Sequence, residues 1–161
     1  MAEGILLLVE GLRQAGRRLG RLARGRLALQ VVGGRLLSLA EVASSLGEAE
    51  RDMCAVVVAI HGGMVEEPDL RFVMAVERAA VPALTGALAS PALADDPRMG
   101  ASVLQELGNI GATAIANHLA GHLGGQVRTS APDVLEDRWG SLVAAVLASF
   151  ADPADSVAIL S

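Results

Sequence analysis

The residues best placed to act on a substrate lie in one segment, Ser102-Val-Leu-Gln-Glu106-Leu-Gly-Asn109-Ile-Gly111-Ala-Thr113. Drawn on a helix at about 100° per residue, Ser102, Glu106, Asn109 and Thr113 fall within about 60° of arc. Leu104, Leu107, Ala114 and Ile115 fall on the opposite side, so the helix is anchored by its back and turns a polar stripe outward. A carboxamide can accept from and donate to one water molecule at once, which a carboxylate or a hydroxyl does less suitably. Such a stripe could align a water beside a reacting atom. It also reads as plain solvated polarity, because Glu-x-x-Asn by itself arises by chance in many chains of this size. Gly108 and Gly111 flank Asn109, and each costs up to about 1 kcal/mol of helix propensity against Ala. That cost points to the close approach of another backbone, either a sheet behind the helix or a partner in front.

Other chemistries find no residues. Every one of the 13 basic side chains is Arg, so no Lys is present to form a Schiff base or to hold phosphates in a P-loop. No Gly-x-Ser-x-Gly elbow and no glycine-rich phosphate loop occur. The one cysteine, Cys54, excludes an internal disulfide and a cysteine-rich zinc site, and within Met53-Cys-Ala-Val-Val-Val-Ala-Ile60 it reads as a buried small hydrophobe. His118 and His122 have metal-ligand spacing but fall on the apolar side without a third ligand, so no metal is expected. His61, before Gly62-Gly63, reads as structural. Aromatics are limited to Phe72, Trp139 and Phe150, too few for a site that stacks bases or sugars. Trp139 suits an anchor between a strand and a helix, or a hot spot in an interface.

The elements that must position the stripe can be traced along the 161 residues, one domain's worth of chain, 52% hydrophobic and 19% charged. Residues 4–30 predict a long helix and residues 31–42, broken at Gly33-Gly34, one or two short strands. Cys54 to His61 is a Val/Ile/Ala run suited to a buried strand. Residues 61–69 read as a hairpin connection, with the partner strand over 70–76 and a helix over 77–89 that Pro82 limits or begins. Asp96-Pro97 has the form of an N-cap followed by Pro at the first helical position, and Gly124-Gly125 ends that helix after about His122. A short strand over 126–130, a helix over 141–150 and a last strand over 156–160 complete the reading. The elements alternate without a βαβ rhythm. The expected fold is α/β of the α+β kind: a single domain, residues 1–161, with two long helices on a mixed, mainly antiparallel sheet.

Net charge is −5 and unevenly placed: residues 1–40 carry +5 and residues 41–161 carry −10. Arg13, Arg17, Arg21 and Arg24 fall within about 80° of arc on the first helix, opposite Leu8, Leu12, Ala15 and Leu19. This basic amphipathic helix suits a solvated face over a core stripe, or docking to an acidic protein or an anionic membrane. Nucleic acid fits poorly, since the rest of the chain is acidic and lacks stacking residues. No apolar stretch reaches the roughly 18 residues of a membrane span, and the start has no signal-peptide pattern, so a cytoplasmic protein is expected and a membrane partner is not.

Shifted by 96 residues, the chain overlays Glu10 on Glu106, Leu19 on Ile115, Gly25 on Gly121, Gln30 on Gln126 and Val31 on Val127. Both segments read as a long helix, a short link and a strand, roughly 4–42 and 96–161, related by a pseudo-twofold axis.

The fuller pattern is Ser102, three residues, Glu106, two residues, Asn109, twenty-two residues, Pro132. With Leu107-Gly-Asn-Ile-Gly111 and Ser130-Ala-Pro-Asp-Val134 around it, the chain resembles the CheC/CheX/FliY family of chemotaxis phosphatases. The resemblance implies the following. The protein is a hydrolase acting on the aspartyl phosphate of a CheY-type response regulator. Asn109 orients the attacking water, Glu106 pairs with a lysine of the regulator, and Ser102 and Pro132 support the contact. It needs no cofactor of its own, any magnesium being the regulator's. In the first copy of the motif, Glu10 is kept, but Arg13 stands for Asn, Leu6 for Ser and Leu36 for Pro, so one competent centre is expected and the basic face there binds rather than catalyses. The alternative is a non-catalytic module of the same fold that docks a response regulator, a flagellar switch protein or CheD. A homodimer stays open, as the final run Val157-Ala-Ile-Leu-Ser161 stops sooner than the family's closing strands.

Overall fold

The Val/Ile/Ala run becomes β2 (Asp52–Gly62), and the main sheet is built around it. The computed structural model describes residues 2–22, 34–38, 41–42, 49–62, 70–148 and 156–160. Alternate β2 residues Cys54, Val56, Val58 and Ile60 are buried on one face, and Ala55, on the reverse face, is wholly buried too. β3 (Leu70–Glu77) pairs antiparallel along one edge, placing Val76, Met74, Phe72 and Leu70 opposite those four residues and on their face.

The other edge of β2 is filled by two strands in line, β4 (Val127–Thr129) and β5 (Asp133–Arg138). Thr129 stands opposite Ile60 and Asp133 opposite Val57, so residues 130–132 face only Val58 and Ala59. Three residues against two is a β-bulge, and Pro132, which has no N–H to give a ladder, sits within it. The ladder is mended by a side chain. Ser130 N–H donates to Ala59 O at 2.9 Å, while Ala59 N–H donates to Ser130 Oγ at 3.0 Å. Ser130→Ala is expected to leave that amide without an acceptor and to cost about 1–2 kcal/mol, read as a lower midpoint in urea at unchanged slope.

Three sequence expectations need correction. No strand was expected over 133–138, because its four charged positions hide the apolar pattern. They mark an edge strand, whose charges discourage pairing with another chain. The helix expected over 77–89 is divided: Glu77 ends β3, Arg78–Ala80 form a 3-10 turn, and α2 (Val81–Leu88) begins there with Pro82 in its first turn. The sheet is not mixed among the described residues, where every pairing is antiparallel.

Two long helices cover the buried face of β2. α1 (Ala2–Leu22) is described as far as Leu22 of the 27 residues expected from 4 to 30. α3 (Pro97–Leu123) begins as expected: Asp96 accepts from the backbone N–H groups of Arg98 and Met99 at 2.9 and 3.2 Å. It ends on Gly124 at φ 69°, a left-handed backbone that suits glycine. Leu104, Ala112, Ile115 and Ala116 of α3 join the β2 cluster, with Leu8 and Leu12 of α1 packed beside them. Leu19 instead meets Val103 and Leu107, so the two helices run antiparallel. Their backbones come close at Gly11, where a Cβ would lie 3.0 Å from Ile115 Cα.

α4 (Trp139–Leu147) starts two residues earlier than expected and packs against β5 and β2. The backbone N–H of Trp139 donates to Arg51 O at 2.8 Å, which ties the strand-to-helix link to the start of β2. β1 (Gly34–Ser38) pairs antiparallel with β6 (Ser156–Leu160), so the final apolar run finds its strand partner within this chain. The connection over 63–69 lies outside the described residues.

Candidate functional site

α3 turns one continuous polar stripe to solvent. Ser102 and Glu106 are exposed and Asn109 and Thr113 half-buried, while Leu104 and Leu107 on the back are 1% and 6% exposed. Gly108 and Gly111, two of the four glycines in this helix, let it seat in this rotation. A methyl on Gly108 would lie inside the van der Waals surface of Val56 Cγ1, and one on Gly111 would come 2.7 Å from Phe72 Cζ. The close approach anticipated from the sequence is therefore to the sheet behind, through its side chains rather than its backbone.

Glu106 makes no hydrogen bond or ion pair among the described residues. Its carboxylate is an acceptor-only group facing water, ready for a cation brought by another molecule. Asn109 Oδ1 accepts from the Thr113 hydroxyl at 3.4 Å. Its Nδ2 has no partner, and no unpartnered side-chain nitrogen or oxygen is buried among the described residues, so Nδ2 reaches solvent. The amide is thus neither turned into the core nor fully outward. Pro132 comes from a different element, the β4–β5 bulge, and both flanking strands pack against α3. It is half-buried. Ser130, whose hydroxyl holds that bulge, was missed as a structural residue; the Ser-x-Pro interruption of a short strand was the signal.

The corresponding stripe of α1 is in the opposite state. Leu6 is 66% exposed. Glu10, the counterpart of Glu106 at the 96-residue offset, is gripped by two guanidiniums: Arg17 donates to it at 3.0 Å and Arg13 lies at 3.7 Å. The Arg17 hydrogen bond foremost, with the charges of Arg17 and Arg13, holds the Glu10 carboxyl below the ordinary range. Arg13 and Arg17 are therefore turned in part toward their own helix rather than wholly outward. Arg18 and Arg21 are exposed, and Arg24 lies outside the described residues. Ala15 and Leu19, on the apolar side of α1, are 0% and 4% exposed and belong to the core.

The remaining candidates are structural. Cys54 is buried under the helices; burial foremost, with nearby Glu136, pushes its thiol up, away from thiolate chemistry. His118 is half-buried, with Nδ1 3.4 Å from Gln14 Nε2 of α1, and His122 Nδ1 lies 2.9 Å from the His118 carbonyl. The two rings lie 4.5 Å apart, centroid to centroid, in the last turns of α3. Among the described residues no three His, Cys, Asp or Glu side chains converge as metal ligands, and no helix is long and apolar enough to cross a membrane.

The fold is similar to that of FliY from Thermotoga maritima, known from an X-ray crystal structure, with a TM-score of 0.70 at 16% sequence identity. The superposition covers 99% of this chain and 81% of that one. At that identity the likeness concerns the arrangement of helices and strands. No family model matches the sequence, and no curated protein matches it.

Proposed function

We propose that the chain is a phosphatase for the aspartyl phosphate of a CheY-type response regulator, with α3 as its working surface. One observation carries this reading. Of two stripes at equivalent places on two long helices, one has its acid closed by arginines, and the other leaves Glu106 free beside an accessible Asn109 amide. An acyl phosphate is already activated, so the phosphatase need supply no nucleophile, only an aligned water. Asn109 accepts from and donates to that water and sets it in line with the phosphorus, as a glutamine does in small GTPases. Glu106 pairs with a lysine of the regulator and fixes the docking, Ser102 extends the contact, and Pro132 shapes the neighbouring loop. Magnesium belongs to the regulator's half of the site.

The same reading takes α1–β1 and α3 with β4 and β5 as the two copies of a duplicated unit within one domain, the first degenerate. In its favour, β1, the strand after the first long helix, pairs with β6, which lies within residues 96–161.

A second reading, a docking module without turnover, is favoured by α1, which keeps exposed Leu6, Arg18 and Arg21 around a closed acid. Its occupants would be a response regulator, a flagellar switch protein, CheD, or a second copy of the chain. The deciding experiment loads the cognate CheY-type regulator with phosphate and follows its decay in the cytoplasmic range of salt and pH. Faster decay with the wild type supports the phosphatase; unchanged decay together with measurable binding supports the docking module. Glu106→Ala is expected to raise the regulator concentration for half-maximal effect about tenfold, a loss of ~1.4 kcal/mol of association.

A further inference from the structure

Thr113 lies one helical turn beyond Asn109, and what its hydroxyl does is unusual for a helical threonine. Such hydroxyls commonly donate to the backbone carbonyl four residues back. Thr85 in α2 does so, donating to Val81 O at 2.9 Å. Thr113 instead donates to the side chain four residues back, at Asn109 Oδ1, 3.4 Å away. Neither residue has another hydrogen-bond partner among the described residues. Among the described residues the hydroxyl is therefore the one hydrogen-bonding group that distinguishes the two ends of the Asn109 amide.

The other stripe shows that this station reaches the residues before it. Arg17 occupies, 96 residues earlier, the place of Thr113, and it extends back to Glu10 at 3.0 Å. This position thus contributes to each stripe's state: a guanidinium there, together with Arg13, closes the acid, while a short hydroxyl there touches only the amide.

We propose that Thr113 is a positioning residue, whose hydroxyl holds the Asn109 carboxamide with Oδ1 along the helix and Nδ2 free for water. The proposal rests on the phosphatase reading for its kinetic consequence. An amide oxygen has two lone pairs, so Oδ1 bonded to Thr113 can still accept from the water to which Nδ2–H donates. Without the hydroxyl the amide turns about its last torsion, which is broad and nearly two-fold, and the aligned orientation is populated for less of the time.

Three variants test this. Thr113→Val keeps the shape and removes the donor, Thr113→Ser keeps the donor, and Thr113→Arg copies Arg17. Thr113→Val is expected to lower the maximal acceleration of regulator dephosphorylation about three- to tenfold, with half-saturating regulator concentration unchanged. Thr113→Ser should restore it to within about twofold. Thr113→Arg should instead raise the half-saturating concentration about tenfold or more, as the guanidinium pairs with Glu106. A readout independent of turnover is the Asn109 side-chain amide in nitrogen-15 NMR of the unbound protein. Its order parameter should fall in Thr113→Val and recover in Thr113→Ser. If the Val variant matches wild type in both maximal rate and Asn109 order, the positioning role is overturned. If the wild type fails to accelerate decay while the NMR contrast holds, the phosphatase reading fails and the hydroxyl–amide contact stands.

Discussion

Asn109→Ala is expected to remove at least tenfold of the acceleration of aspartyl-phosphate decay while leaving the protein folded and binding largely intact. Asn109 is half-buried, so its truncation opens no enclosed cavity, and alanine is the better helix former. Its one hydrogen bond is the 3.4 Å contact from Thr113, a neighbour on the same helix that can turn to water. What alanine loses is the group able to accept from and donate to one water, and positioning of a reactant can be worth several kcal/mol. The signature is therefore a fall in maximal rate with little change in half-saturating regulator concentration, the reverse of Glu106→Ala. A variant that keeps wild-type acceleration would remove Asn109 from the mechanism.

A large effect on stability is expected at Gly108. Its missing Cβ faces Val56, which is 0% exposed, β-branched and held in the central strand between β3 on one side and β5 on the other. Gly108→Ala gains about 1 kcal/mol of helix propensity. It also forces α3 off a strand that cannot yield, an overpacking that typically costs about 1–3 kcal/mol and more where neighbours are fixed. A net loss of about 1–2 kcal/mol is expected, a fall in melting temperature of roughly 3–6 °C. Gly111→Ala meets the tip of the Phe72 ring at 2.7 Å, and that ring is half-buried and can swing. There gain and cost nearly cancel. Thermal melts should rank Gly108→Ala clearly below Gly111→Ala; the opposite order would mean that the helix is not seated on Val56. The two predictions meet at the site, because the contact that fixes the rotation of α3 also aims Asn109, the next residue.

The amino-acid sequence alone determined the features that depend on neighbours along the chain. Asp96, Pro97 and Gly124 bound α3 because an N-cap, a preset φ and a left-handed stop act within one turn of themselves. The buried strand β2 follows from its continuous Val/Ile/Ala run, and the polar stripe from Ser102 to Thr113 follows from the 3.6-residue period. The tertiary structure decided what depends on residues distant in sequence. It made the charged segment Asp133–Arg138 a strand by supplying β2 as its partner, and it inserted the bulge at Pro132 through a hydroxyl bond 71 residues away. It also separated two acids that the sequence presents as equivalents, closing Glu10 with Arg17 and leaving Glu106 open. Periodicity says which side a residue takes on its own element; which side chain meets it there is set by rotamers and by the elements packed around it.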